Sequence, residues 1–211
     1  MKKKEIALKA IEILKDRYPE EICSLRYTDP FQLLVAVRLA AQCTDARVNQ
    51  IMPALFERFP TLHHFAEAQP EEVEPYIYST GFYRAKARDL VAMARMLRDQ
   101  YDGVIPNTIE ELIKLPGVGR KTANLICGDV YNVPGVVVAD THLIRIANRL
   151  GLVNSKDPVK VEMALRKLLP PEESNNFCHR MVLFGRDICV ARKPKCPLCP
   201  MNDFCPKKLT K

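Results

Sequence analysis

Apolar positions recur at intervals of three and four along most of the chain, and no stretch alternates apolar with polar over four or more residues. That period belongs to helices with one buried face and not to half-buried strands. Ile6, Ala10, Ile13 and Leu14 predict a first helix over 4–18. Asp29-Pro30 with Gln32 supplies a cap, a proline at the first helical position and a capping-box partner. The helix it opens should reach about Ala41 and bury Phe31, Leu34, Val35 and Leu39. A third helix follows Asp45 through Val48, Ile51 and Leu55. Thr61 and Gln69-Pro70 open two shorter ones, the second closed by Gly81, and the run Phe82 to Ala87 opens a long one with Leu90, Met93 and Leu97 inward. Later, Asp140 and Gly151 punctuate a helix at its N-cap and C′ positions. Asp157-Pro158 opens another that Pro170-Pro171 closes, and a last long helix runs from about Glu172 to Cys189. The run Val136 to Ala139 is strand-like but short and unpartnered, so the pattern predicts an all-α chain without repeats or low-complexity segments.

One stretch departs from plain helix. Thr108 with Glu111 reads as a capping box, opening a short helix with Ile109, Leu112 and Ile113 on one side. Leu115-Pro116-Gly117-Val118-Gly119 breaks it, because Pro116 lacks an N–H and the two glycines can take φ > 0. A second helix should run from Arg120 to about Val130 with Ala123, Leu125 and Ile126 turned inward. Bare glycine backbone beside a helix start, with its outward N–H groups and positive dipole end, can seat a phosphate. Such a seat holds a nucleic acid backbone without reading bases. A dinucleotide fingerprint would need a strand before the first glycine, and a P-loop would need glycine where Arg120 stands. On the glycines alone, an ordinary helix–helix turn fits equally well.

Charge shifts the balance toward the seat. The 211 residues carry a formal charge of +7 and a pI near 9.0, which favours an anionic partner. Hydrophobic residues make up 47%, enough for a real core in one domain or two small ones. Met1-Lys-Lys-Lys4 runs into Glu5 with no apolar stretch, and the longest apolar runs are far too short to span a bilayer. The expectation is a soluble intracellular protein without a secretory signal.

Of eight cysteines, Cys23, Cys43, Cys127 and Cys178 are scattered, as small buried apolar groups are in a reducing compartment. The others form Cys189-x6-Cys196-x2-Cys199-x5-Cys205, the most specific signal in the chain. Cys196 and Cys199 place two thiolates on one metal centre, and the flanking pair closes four-sulfur coordination. Spacing leaves tetrahedral zinc and an iron–sulfur cluster equally open. Either way, a span this short and rich in proline cannot bury a core, so the metal should fold it. Between Cys189 and Lys211, six Lys or Arg residues stand against one acid, Asp203. Folded around a metal, Arg192, Lys193 and Lys195 would form a phosphate-binding knob; without it they are a solvated basic tail.

Leu115 to Ala123, reading Leu-Pro-Gly-Val-Gly-Arg-Lys-Thr-Ala, resembles the helix-hairpin-helix of the DNA glycosylase superfamily, and its Lys121 resembles that of the endonuclease III family. The resemblance extends over nearly the whole chain. It implies a middle helical domain at 22–133 containing the hairpin, and a second domain of 1–21 plus 134–211, flanking a DNA-binding groove. It also turns the cysteine pattern into a [4Fe–4S] loop held by Cys189, Cys196, Cys199 and Cys205. By itself Lys121 reads most simply as a phosphate contact; the resemblance makes it a nucleophile at C1′ of a damaged nucleotide. Only the neutral amine attacks, whereas lysine in water is almost wholly protonated at pH 7. The site must therefore strip its water or set a cation beside it. Asp140 is a good N-cap, and in Ala139-Asp-Thr-His142 the resemblance adds a carboxylate that stabilises oxocarbenium character as the base leaves. His142 reads as a second-shell group, a phosphate contact or helix surface.

Chemistry at C1′ needs an extruded nucleotide. Gln42, in Leu39-Ala-Ala-Gln-Cys-Thr-Asp45, matches the family glutamine that fills the gap, and Asp45 is placed in the damaged-base pocket. Phe82 stands where the family usually has a leucine wedge. Gly117, Gly119, Arg120, Lys193 and Lys195 complete the expected DNA contacts. Ala139 replaces the family valine, and the segment from Lys121 to Asp140 is about one residue longer, absorbed at Asn132 to Gly135.

The function implied is a bifunctional base-excision DNA glycosylase and abasic-site lyase for oxidised pyrimidines. It would act as a monomer on double-stranded DNA with damaged bases or abasic sites, without a membrane, in a bacterial or archaeal cytosol at the nucleoid. A monofunctional mismatch or adenine glycosylase is the second reading, disfavoured by Lys121. A non-catalytic DNA-binding iron–sulfur protein is the third, disfavoured by Lys121 and Asp140 together.

Overall fold

The computed structural model describes residues 1–20 and 23–207. The described residues are helical, with no strand: α1 (Lys3–Arg17), α2 (Pro30–Ala40), α3 (Asp45–Arg58), α4 (Leu62–Glu67), α5 (Pro70–Ile77), α6 (Tyr83–Gln100), α7 (Ile109–Leu112), α8 (Arg120–Asp129), α9 (Thr141–Arg149), α10 (Pro158–Arg166) and α11 (Ser174–Asp187). Contacts divide the chain into two units, Cys23–Tyr131 and Met1–Ile22 with Asn132–Lys211. The boundary expected at residues 21 and 22 falls outside the described residues. No described helix is long and apolar enough to cross a membrane.

In the unit Cys23–Tyr131, local chemistry sets the helix starts. The Asp29 carboxylate accepts from the Gln32 N–H at 2.9 Å and Thr44 Oγ1 from the Arg47 N–H at 3.3 Å. The Gln32 side chain reaches Thr28 N, one residue short of the reciprocal box. α2 buries Phe31, Leu33, Leu34, Val35, Ala36 and Leu39, while α4 and α5 pack on α6 through buried Leu90, Met93 and Leu97. Phe65 is fully buried, with the rings of Phe31, Phe56 and Phe59 5.2–5.5 Å from its own. Burying one such ring stabilises the unit by about 2–3 kcal/mol, and each ring pair adds about 1 kcal/mol. Two expected core positions sit at the margin. Ile51 is half-buried with Met52 inside, and Leu125 is half-buried between buried Asn124 and Ile126.

The other unit is built on α11, against which α1 and α9 both pack. α1 buries Ile6, Ala7, Ala10, Ile11 and Leu14, so its face is rotated from the expected one and Ile13 lies at the edge. Arg17 and the Tyr18 hydroxyl both donate to Asp187 Oδ2 at 2.9 Å, fastening the end of α1 to the end of α11. The Val136 to Ala139 run is buried without strand partners and leads into α9, which Gly151 ends at φ 75°.

Candidate functional site

The hairpin occupies residues 108–129. Thr108 Oγ1 accepts from the Glu111 N–H at 3.3 Å, but the Glu111 carboxylate does not return the bond. It is taken instead by the Tyr101 hydroxyl at 2.9 Å and Lys114 Nζ at 2.6 Å, so the expected capping box is only half formed. α7 lasts a single turn, and Ile113, expected inside, is 47% exposed; Leu115 and Val118 bury themselves in its place.

The two glycines do different work. Gly117 has φ 75°, whereas Gly119 sits at φ −94° as the N-cap of α8. Of the two glycines that can take φ > 0, only Gly117 does. A Cβ at Gly117 would stand 2.7 Å from Arg38 Nε and 3.0 Å from Asp89 Cβ. Arg38 itself donates from Nε and Nη2 to Asp89 Oδ2 at 2.8 and 2.6 Å, so the ion pair between α2 and α6 lies directly under the turn. At Gly119 nothing stands within 4 Å of a Cβ, and no side chain caps α8. The α8 start thus lacks a side-chain cap at the positive end of its dipole. Arg120 and the exposed Lys121 are its first two residues.

Two loops of the same unit present the predicted gap-filling side chains. Gln42 is exposed at φ 56°, between α2 and α3. Phe82 is 67% exposed at φ 50° and ψ 27°, after Gly81, so it is not a core ring. Asp45 sits in the first turn of α3, where it accepts from Ser24 Oγ at 2.5 Å.

In the other unit, Asp140 is the N-cap of α9, its Oδ1 accepting from the Leu143 N–H at 2.7 Å. His142 Nδ1 lies 3.1 Å from Arg145 Nη2, and both side chains press on the bare backbone of Gly185 in α11. Arg145 donates to the Gly185 and Cys189 carbonyls at 3.1 Å. Buried Arg149 donates to the carbonyls of Val190 at 2.8 Å and Ala191 at 2.9 Å, and to Cys189 Sγ at 3.3 Å.

The four clustered cysteines line one cavity together with Ile146, Leu150, Phe184, Ile188 and Met201. Among the described residues, no three His, Cys, Asp or Glu side chains gather closely enough for a single metal ion. Four thiols lining one apolar hollow supply the sulfur ligands that an iron–sulfur cluster takes. Burial pushes the Cys199 and Cys205 thiols above their ordinary value, so a metal held there would have to supply the positive charge that releases their protons. Arg192, Lys193 and Lys195 are exposed in this loop; Lys193 has φ 54°, and Lys195 Nζ is 3.9 Å from Asp187.

Sequence reasoning missed Arg38, Asp89, Arg145 and Arg149. A lone arginine inside the apolar α2 was a signal that a buried partner awaits it. Arg145 and Arg149, four apart on α9, mark a polar row aimed at one acceptor set, though nothing local names backbone carbonyls as the target.

Residues 35–171 match the family model of the HhH-GPD superfamily base excision DNA repair protein, and residues 189–205 match that of the iron-sulfur binding domain of endonuclease III. The chain is 44% identical over 204 residues to endonuclease III of Synechocystis sp., covering 97% of this chain and 93% of the relative. Two solved structures are each 41% identical with a TM-score of 0.91 over 98% of this chain. One is a non-covalent endonuclease III–DNA complex, covered to 96%, and the other a trapped endonuclease III–DNA covalent intermediate, covered to 97%. The chain accordingly carries a [4Fe–4S] cluster.

The glycines separate in a mutational test. Gly117→Ala incurs the left-handed penalty of about 1–2 kcal/mol and meets Arg38, so its thermal unfolding midpoint falls by several degrees. Gly119→Ala keeps the wild-type midpoint but weakens DNA binding, because its methyl group projects where a phosphate approaches. Stripping the iron with oxidant and chelator should expose Arg192, Lys193 and Lys195 to trypsin, while far-ultraviolet circular dichroism keeps most of its helical signal.

Proposed function

We propose, from the premise that this chain belongs to the HhH-GPD superfamily of base excision DNA repair proteins and within it to the endonuclease III family, that it removes oxidised pyrimidines from duplex DNA and cleaves the resulting abasic site. The observation that carries this reading is the exposed Lys121 just past the Gly117–Gly119 turn, at the uncapped start of α8. A relative of known structure has been trapped covalently on DNA, which supports an enzyme nucleophile.

The roles follow from the chemistry. Gly117, Gly119 and Arg120 seat the backbone phosphates, and Lys193 and Lys195 add contacts from the cysteine loop. Gln42 and Phe82 enter the space left by the extruded nucleotide, and Asp45 lines the pocket that takes its base. An exposed lysine loses its water when DNA closes over it, which favours the neutral amine. The Lys121 lone pair then attacks C1′, and the glycosidic pair leaves with the base, which gains a proton. The Asp140 carboxylate, held in place by the Leu143 N–H, stabilises positive charge on the sugar. Ring opening gives a Schiff base to Lys121. Loss of a C2′ proton then expels the 3′ phosphate. His142 braces α9, so it acts on Asp140 through packing. Cys189, Cys196, Cys199 and Cys205 hold the cluster, which supplies the folding energy of its loop. We place the protein in the cytoplasm, at the nucleoid, as a monomer.

Purified protein should nick duplexes carrying thymine glycol, and far less those with uracil or with adenine opposite an oxidised guanine. Lys121→Ala should abolish both nicking and borohydride trapping; wild-type trapping by this variant would refute the nucleophile. Asp140→Asn should slow turnover by about a hundred-fold with DNA affinity retained. Lys193→Glu should weaken binding and flatten the salt dependence by about one phosphate contact, a slope change near 0.9. An unchanged slope would take that loop out of the interface.

A further inference from the structure

Lys86 lies in the first turn of α6 with 1% of its surface exposed. A buried ammonium costs several kcal/mol unless its charge and protons are met. Here they are met by backbone: Nζ donates to the carbonyls of Leu39 and Thr80, each at 2.8 Å. Leu39 belongs to the last turn of α2, and Thr80 ends the 3-10 turn Tyr78–Thr80, so the ammonium caps two helix C-termini at once. Burial pushes the amine below the ordinary lysine value, and the Leu39 and Thr80 carbonyls take two of its protons.

Both carbonyls sit at the roots of the loops that carry the gap-filling side chains. Gln42 comes three residues after Leu39, and Phe82 two after Thr80. Each takes a left-handed backbone, at φ 56° and 50°. That conformation is strained for a non-glycine residue and persists only where the surroundings fix it. Lys86 also donates its own N–H to Phe82 O at 3.0 Å, gripping the Gly81–Phe82 loop from both ends.

We propose that Lys86 is a positioning residue that clamps the Gln42 loop to the Phe82 loop, so that both side chains enter the duplex as one rigid wedge during nucleotide extrusion. This rests on the wedge reading of Gln42 and Phe82 above. Lys86 touches neither the sugar nor the base; it fixes the spacing of the two side chains that hold the vacated stack open.

The test compares strand cleavage at an abasic site in duplex DNA with cleavage at the same site in single-stranded DNA, which needs no extrusion. An aminopurine beside the site reports unstacking. Lys86→Met, which keeps the length and loses every donor, should slow duplex cleavage and the fluorescence rise by at least about ten-fold. Single-strand cleavage should stay within about two-fold. Lys86→Gln retains two N–H donors and should lose less. Equal loss on both substrates, or a lower thermal midpoint with unchanged duplex rates, overturns the proposal. So does failure of both variants to fold, judged by circular dichroism and cluster absorbance. Gln42→Ala and Phe82→Ala serve as the reference. If they show the duplex-specific loss and Lys86→Met does not, the clamp alone is wrong. If they show none, the wedge reading falls and the clamp falls with it.

Discussion

A phosphate can be gripped by backbone only where the backbone is left uncovered, and in this chain an ion pair keeps it so. Arg38 and Asp89 fill from below the volume that a side chain at Gly117 would occupy. The turn is thereby pressed onto α2 and α6, and α8 starts at a fixed place with no side chain capping it. Everything asked of Lys121 depends on that start. A lysine one or two residues further along would present its amine to a different face of the helix. A loosely held turn would spend part of the binding energy on ordering itself.

The other unit solves a similar problem with one helix. α9 carries Asp140 at its first end and Arg145 and Arg149 along the face that meets the cysteine loop. The loop has almost no core of its own, so its carbonyls are satisfied by these guanidinium groups and its shape by the metal. The carboxylate and the cluster are therefore mechanically linked through α9, with no chemistry needing to pass between them. His142 and Gly185 complete the fit: the missing side chain on α11 is what lets the imidazole Nδ1 come so close to it.

Buried cations recur in both units, and they share one logic. Arg149 and Lys86 meet backbone carbonyls, at the ends of helices or in loops that lack regular partners. Each resolves two costs together, the desolvated charge and the unpaired carbonyl. They occur beside the segments that must hold an irregular shape: the cysteine loop for Arg149, and the Gln42 and Phe82 loops for Lys86.

The sequence determined the helices, because their limits are local events. Asp29, Thr44, Asp140 and Asp157 each cap the helix that follows, and the spacing of apolar residues needed no distant information. It also determined the cysteine loop, since four thiols at that spacing admit few other uses. Three things it did not determine. The inward face of α1 rotated from Ile13 to Ile11, because α11 decides which row is covered. The carboxylate of Glu111 left its capping box for Tyr101 and Lys114, a choice made by what lay within reach. The partners of Arg38, Lys86 and Arg149 were invisible, because a buried cation can be satisfied by any carbonyl or carboxylate brought near it. Only packing of distant segments fixes which one that is.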